Sequence, residues 1–183
     1  MALTQWIKNN FKPLPFKQSG FVWLWLTPLV FAIDYWTKQW ADKELAPAYF
    51  GPAIEVMPYF NLKLAYNEGA AFSSFEGMTF MLIALPVVIV IGMVLWMWQT
   101  PKARVLINTG IALILGGAFG NLYDRIFNDG KVIDFIDWYI VWDGVEKHWP
   151  TFNIADSVIL IGVGLLIIDA IKNPEHKKEQ NKG

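Results

Sequence analysis

The chain has 183 residues, of which 55% are hydrophobic, 16% aromatic and 17% charged; soluble globular domains carry roughly 25% charged residues. Its formal net charge of -1 offers no strong field for nucleic acid or for an acidic substrate. With no cysteine, disulfides, thiol nucleophiles, Cys-based zinc sites and iron–sulfur clusters are all excluded.

In chain order, the first feature is a tail, 1–20, bearing Lys8, Lys12 and Lys17. It leads into an apolar run over 21–40. A signal peptide is a possible reading, but Asp34-Tyr35-Trp36 is no small-residue cleavage site. Ala46-Pro47-Ala48 lies too far downstream and contains a proline, so an uncleaved signal anchor is expected. A spanning helix needs about 20 apolar residues. The run at 21–40 meets that length, as do 79–98, 105–123 and 153–171. Pro86 falls inside the second, where a membrane helix tolerates it. Gly116 and Gly120 form a small-xxx-small pair in the third, which lets helix backbones approach closely in lipid. Many of the ten tryptophans fall near the ends of these runs, as at a bilayer interface.

Between the first two spans, Ile54-Glu55-Val56 and Phe60 to Tyr66 alternate apolar and polar residues, predicting half-buried strands. Asn67-Glu68-Gly69 reads as a turn. The loop 124–152 holds Phe135, Ile136, Trp138, Tyr139 and Trp142, suited to an interfacial loop or helix. From Lys172 the chain is charged and expected to fray. Lys102 and Arg104 sit in the short loop, and Lys172, Lys177, Lys178 and Lys182 in the C-terminal tail. With the N-terminal lysines they predict both termini in the cytoplasm and the two long loops outside. The expected fold is thus an all-α membrane protein. It is a single domain over 1–183, with four transmembrane helices, a small extracytoplasmic β-sheet and an interfacial loop or helix.

Ionisable groups at membrane depth are costly and point to function by default. Asp34 and Lys38 stand one helical turn apart, which suits either a simple i,i+4 ion pair or a site. Asn121 shares a helix face with Asp124 and Arg125, which suits either a polar helix end or a binding face. Asn153 and Asp156 have the spacing of an N-cap and an N3 acid. Asp134 stands among apolar neighbours. Together these groups fall at the outer ends of spans. Asp169 falls at the opposite end and reads as a solvated terminus, and His148 reads as surface. Ser73, Ser74 and Ser157 have no evident base. Paired carboxylates remain. A close pair cannot both ionise and shares a proton. Its charged member can activate water while its neutral member hydrogen-bonds a peptide carbonyl.

Four runs carry a resemblance. They are Asn67-Glu68-Gly69-Ala70-Ala71-Phe72; Gly117-Ala118-Phe119-Gly120-Asn121-Leu122-Tyr123-Asp124-Arg125; Val132-Ile133-Asp134-Phe135; and Phe152-Asn153-Ile154-Ala155-Asp156. In order and spacing, with the Asp34–Lys38 pair, they resemble bacterial lipoprotein signal peptidase (signal peptidase II) over roughly residues 20–172. The resemblance implies an aspartyl endopeptidase of the inner membrane, without cofactor or metal. It would remove signal peptides from prolipoproteins, cutting before a diacylglyceryl-modified cysteine. It implies a catalytic dyad of Asp134 and Asp156, with Asn67, Gly69, Asn121, Arg125, Asn153 and Ala155 supporting the dyad or holding substrate. Asp34 and Lys38 would brace the site, and Asp124 would stay ionised and structural. It also implies membrane lipid and globomycin-type inhibitors as partners, and no nucleic acid. Two other readings compete. A small transporter or channel subunit would need polar groups through the full membrane depth, and the middles of the second and fourth spans are apolar. A divalent cation held by Asp34, Asp124, Asp134 and Asp156 would be sensitive to chelation.

Overall fold

The computed structural model describes residues 11–45, 53–69 and 79–173. Lys8, Ala46-Pro47-Ala48, the Ala70-Ala71-Phe72 run with Ser73 and Ser74, and the tail beyond Asn173 lie outside the described residues. Four long helices and one small sheet make up the rest. A 3-10 turn at Gly20–Trp23 precedes α1 (Leu26–Leu45), then come β1 (Ile54–Met57), β2 (Phe60–Asn67), α2 (Thr79–Gln99), α3 (Val105–Phe127), β3 (Val132–Trp142), β4 (Val145–His148) and α4 (Ile154–Lys172). Three helices are long and apolar enough to cross a membrane: α2 from Phe80, α3 and α4. The first helix is of similar length but carries Asp34, Lys38, Asp42, Lys43 and Glu44.

The first helix is displaced from the expected 21–40 at both ends. Ser19 accepts the Phe21 N–H and starts the 3-10 turn instead. Gly20 is wedged there, because a Cβ would stand 2.0 Å from Asn108 Oδ1. At the other end the helix continues because Ala41 and Leu45 are buried against Leu64, Ile133 and Phe135 of the sheet. The third helix runs about a turn past the apolar span ending at 123, and Asp124 and Arg125 lie within it, on the helix face expected of them with Asn121.

Glycines set how closely the helices approach. A Cβ on Gly116 would lie 2.6 Å from Val30 Cβ, and one on Gly120 would lie 2.2 Å from Asp34 Oδ2. That face of α3 therefore meets α1 almost backbone to backbone. The neighbouring face meets α4 in the same way. A Cβ on Gly117 would stand 2.5 Å from the Ala155 carbonyl oxygen, and Gly110 and Gly162 are mutually blocked at 2.8 and 2.7 Å. Without a hydrophobic drive between helices in lipid, such close packing is what holds them.

The sheet is antiparallel with strand order β1-β2-β3-β4. β2 and β3 pair from Phe60↔Trp138 to Asn67↔Val132, with an irregularity between Leu62 and Ala65. The loop expected to be an interfacial loop or helix is in fact the hairpin β3–β4. Val132–Trp142 is rich in β-branched and aromatic residues, which favour a pleated, half-buried surface. Asp143 and Gly144 both take positive φ (52 and 74°), the demand of a two-residue type I′ turn. At the other end of the bundle, Asp169 is no solvated terminus. It is 4% exposed and ion-paired with Arg104, because the short α2–α3 loop folds back onto the end of α4.

Gly120→Ala should cost about 1–3 kcal/mol, the range for overpacking a tight site. Gly164→Ala, where a Cβ meets nothing within 4 Å, should be near neutral. Thermal unfolding of the two variants in detergent micelles measures the difference; equal midpoints would refute the close approach.

Candidate active site

The site lies where the C-terminal halves of α1 and α3 and the first turn of α4 meet the first half of β3. It is built on one buried ammonium. Lys38 is 1% exposed, and its Nζ lies 2.8 Å from Asp34 Oδ2, 3.0 Å from Asp124 Oδ2 and 2.9 Å from Asn121 Oδ1. The ammonium thus meets two carboxylates as ion pairs and one amide oxygen as a hydrogen bond. Asp34 spends its other oxygen on the Ala155 N–H (2.8 Å), tying α1 to the first turn of α4. Asp124 Oδ2 also accepts the Ile133 N–H (3.1 Å), tying α3 to β3.

Three asparagines carry this order to the carboxyls. An ammonium can only donate, so the contact to Asn121 must be with its amide oxygen, and Nδ2 is left to donate to Asp156 Oδ1 at 2.8 Å. Asn153 caps α4. Its Oδ1 accepts the Asp156 N–H (2.9 Å) while Asp156 Oδ2 accepts the Asn153 N–H (3.3 Å), forming a capping box. With its oxygen so committed, Asn153 Nδ2 points at Asp134 Oδ1 (2.7 Å), with the Ile133 carbonyl and Asn121 Oδ1 at its margins (3.3 and 3.2 Å). Asn67 is fixed by the turn after β2. Gly69 takes φ +79° and donates its N–H to Asn67 Oδ1 (2.8 Å), so Asn67 Nδ2 donates to Asp134 Oδ2 (2.9 Å). Glycine is needed at that turn twice over, because a Cβ would also stand 2.7 Å from Leu82 Cδ1.

Asp134 and Asp156 are therefore both bonded to the one residue Asn153, and each takes a further amide N–H. Asp134 is 1% exposed. Burial, with a smaller push from the charge of Asp156, raises its carboxyl from 3.8 to about 7 against the lowering effect of the two asparagine donors. Arg125 lies within electrostatic reach of Asp156, Asp134 and Asp124, and its buried Nε has no acceptor among the described residues. All eleven residues singled out in the sequence converge here: Asp34, Lys38, Asn67, Gly69, Asn121, Asp124, Arg125, Asp134, Asn153, Ala155 and Asp156. Ala155 enters through its backbone N–H and by letting α4 lie against Gly117.

The chain as a whole is similar to known proteins. The family model described as signal peptidase (SPase) II matches residues 26–172. The chain belongs to the signal peptidase II family. Lipoprotein signal peptidase of Alteromonas mediterranea is 39% identical over 170 residues, covering 91% of this chain and 89% of the relative. That of Yersinia enterocolitica is 41% identical over 175 residues, covering 92% and 98%. A solved bacterial membrane enzyme, determined at 1.9 Å by the in meso method, superposes with a TM-score of 0.73 at 30% identity, covering 85% of this chain and 97% of its own. This protein is therefore a membrane-embedded peptidase.

Sequence reasoning missed a second polar group. Asp137 is 1% exposed, accepts from Asn61 Nδ2 (3.2 Å) and lies 2.9 Å from His148 Nδ1. His148 is exposed, as expected of a surface residue, yet it pairs with this buried carboxylate and stacks on Tyr139. The alternation of β3 around Asp134 would have placed Asp137 on the face opposite, had the strand been recognised.

Removing the ammonium while keeping its bulk should expose how much depends on it. Lys38→Met leaves Asp34 and Asp124 buried against each other and Asn121 free to flip. A loss of about 3–5 kcal/mol is expected, read as a fall in the unfolding midpoint in micelles. A midpoint within a degree or two of the parent would contradict the central role of Lys38.

Proposed function

We propose that the protein is an intramembrane aspartyl endopeptidase that removes signal peptides from diacylglyceryl-modified prolipoproteins, cutting before the lipidated cysteine. The observation that carries this reading is the attachment of Asp134 and Asp156 to one asparagine, Asn153. In this reading Asp134, held up to about 7 by burial, is the proton holder at neutral pH. Asp156, facing the positive end of α4 and two N–H donors, is the charged member. Asp156 draws a proton from a water molecule as the water oxygen attacks the scissile carbonyl carbon. Asp134 gives its proton toward the carbonyl oxygen as negative charge develops there. As the tetrahedral species collapses, the C–N bond breaks, Asp156 passes the water proton to the leaving amine of the lipidated cysteine, and a hydroxyl of the gem-diol returns a proton to Asp134 as the new carboxyl group forms. Arg125 Nε, which has no acceptor among the described residues, would donate its N–H to a substrate carbonyl. Equal numbers of atoms enter and leave, and no covalent enzyme intermediate forms.

The same reading makes α1 a fourth span, its charged face paired internally through Lys38 and turned to α3. It sets the chain in the bacterial inner membrane with both termini in the cytoplasm, following the distribution of lysines and arginines. The site then lies near the outer face. The diacylglycerol of the substrate stays in lipid there while its peptide reaches the carboxyls, and a globomycin-type peptide competes for the same place. The names of the relatives, lipoprotein signal peptidases, support the substrate.

Purified protein and a diacylglyceryl-modified prolipoprotein test the assignment. Asp134→Asn and Asp156→Asn should each lower cleavage by at least about a hundredfold while leaving the unfolding midpoint near that of the parent. Asp124→Asn, which weakens the link from Lys38 and β3, should lower yield and midpoint yet retain turnover per folded molecule. A stable, inactive Asp124→Asn beside an active Asp134→Asn would overturn the dyad.

A further inference from the structure

The β3–β4 hairpin has two unlike faces. Successive side chains on a strand point to opposite sides. Asp134 points to the side of β3 that meets the outer ends of α3 and α4, so Trp138, Ile140 and Trp142 share that side. Across the hairpin, Trp142 pairs with Val145 and Ile140 with Lys147. Trp149 follows, its N–H bonded to the Trp138 carbonyl. Trp138, Ile140, Trp142, Val145 and Trp149 are between 58% and 71% exposed. Five large apolar side chains side by side on one face form a patch that a soluble surface rarely leaves uncovered.

The reverse face is more polar and is anchored. It carries Asp137, Tyr139 and Val141, with Glu146 and His148 opposite the last two. Asp137 binds Asn61 of β2 at 3.2 Å and His148 at 2.9 Å, and His148 Nε2 lies 3.4 Å from Glu146. These bonds tie β4 through β3 to β2, so the apolar face is held in a fixed direction rather than free to fold inward.

What covers the apolar face follows from what it adjoins. Trp138 packs edge-on against Phe152 with ring centroids 6.2 Å apart, and two residues later α4 begins, a helix long and apolar enough to cross a membrane. The face therefore runs on from the outer end of a spanning helix, at the depth where Trp and Tyr gather in bilayers. Lys147 stands on this face beside Ile140, with a stem long enough to lie along the apolar surface and reach a phosphate. We propose that the β3–β4 hairpin is a finger laid in the interface of the outer leaflet, its Trp138–Ile140–Trp142–Val145–Trp149 face in lipid and its Asp137–His148 face in water. Because Asp134 sits on the same strand, this contact fixes the height of the dyad relative to the lipid surface.

The absence of cysteine makes the test direct. Single variants Ile140→Cys and Val145→Cys on the proposed lipid face, and Val141→Cys and Glu146→Cys on the other, are labelled with an environment-sensitive fluorophore. Each is placed, one protein per disc, in nanodiscs of phosphatidylcholine and phosphatidylglycerol with or without brominated acyl chains. Labels at 140 and 145 should shift to the blue and lose most of their emission to the brominated lipid, while those at 141 and 146 do neither. Unquenched labels on both faces, or quenching of the 141 and 146 pair, would overturn the proposal. A blue shift at 140 and 145 without bromine quenching would mean that protein, not lipid, covers the face, and would overturn it equally. The readout uses no substrate, so it stands or falls apart from the peptidase assignment.

Discussion

One ammonium group organises the end of this molecule where the helices meet the sheet. Lys38 is buried among two carboxylates and an amide oxygen, and each of those three is itself committed elsewhere: Asp34 to the backbone of α4, Asp124 to the backbone of β3, Asn121 to Asp156. Burying a charge is expensive unless its partners are complete, and completing them here requires three helices and the sheet to be in place together. The ion cluster is thus less a source of net stability than a condition on geometry. Only one arrangement of the helices satisfies it, and that arrangement orients the asparagines.

Close helix packing makes the cluster possible. Gly120 leaves room for the Asp34 carboxylate, and Gly117 leaves room for the first turn of α4. Larger residues there would move Asp34 away from Lys38 or α4 away from Asn121. Orientation then passes outward by hydrogen bonds alone: the donor-only ammonium fixes the Asn121 amide, the capping box fixes Asn153, and the Gly69 N–H fixes Asn67. Each amide turns an N–H toward Asp134 or Asp156. Donors held in place before the reaction need no rearrangement during it, which is where electrostatic catalysis gains most.

Much of this was legible in the sequence, and the exceptions have physical causes. Apolar runs located the long helices, and the Asn153–Asp156 spacing marked the N-cap and N3 acid of α4. The alternation in Phe60 to Tyr66 announced β2. The end of α1 was misjudged because tertiary contacts, not hydropathy, decide it: Ala41 and Leu45 extend the helix because the sheet buries them. The hairpin was missed because β3 is apolar on both faces near Asp134, which hides a period of two. The Asp143-Gly144 pair was nonetheless a turn signal of the strongest kind. Asp169 was misread because its partner, Arg104, is brought to it only by folding.

The central claim is that two amide-bound carboxyls, sharing a proton and acting without metal, hydrolyse the peptide bond. It is tested most directly by following loss of the signal-peptide mass from a diacylglyceryl-modified prolipoprotein, with EDTA present, across a pH series. Cleavage should persist in the chelator. Its kcat/KM should fall as pH rises through about 7, because Asp134 then loses the proton that it gives to the carbonyl. Cleavage that vanishes in EDTA and returns with a divalent cation, or a rate still climbing well above that pH, would contradict the account.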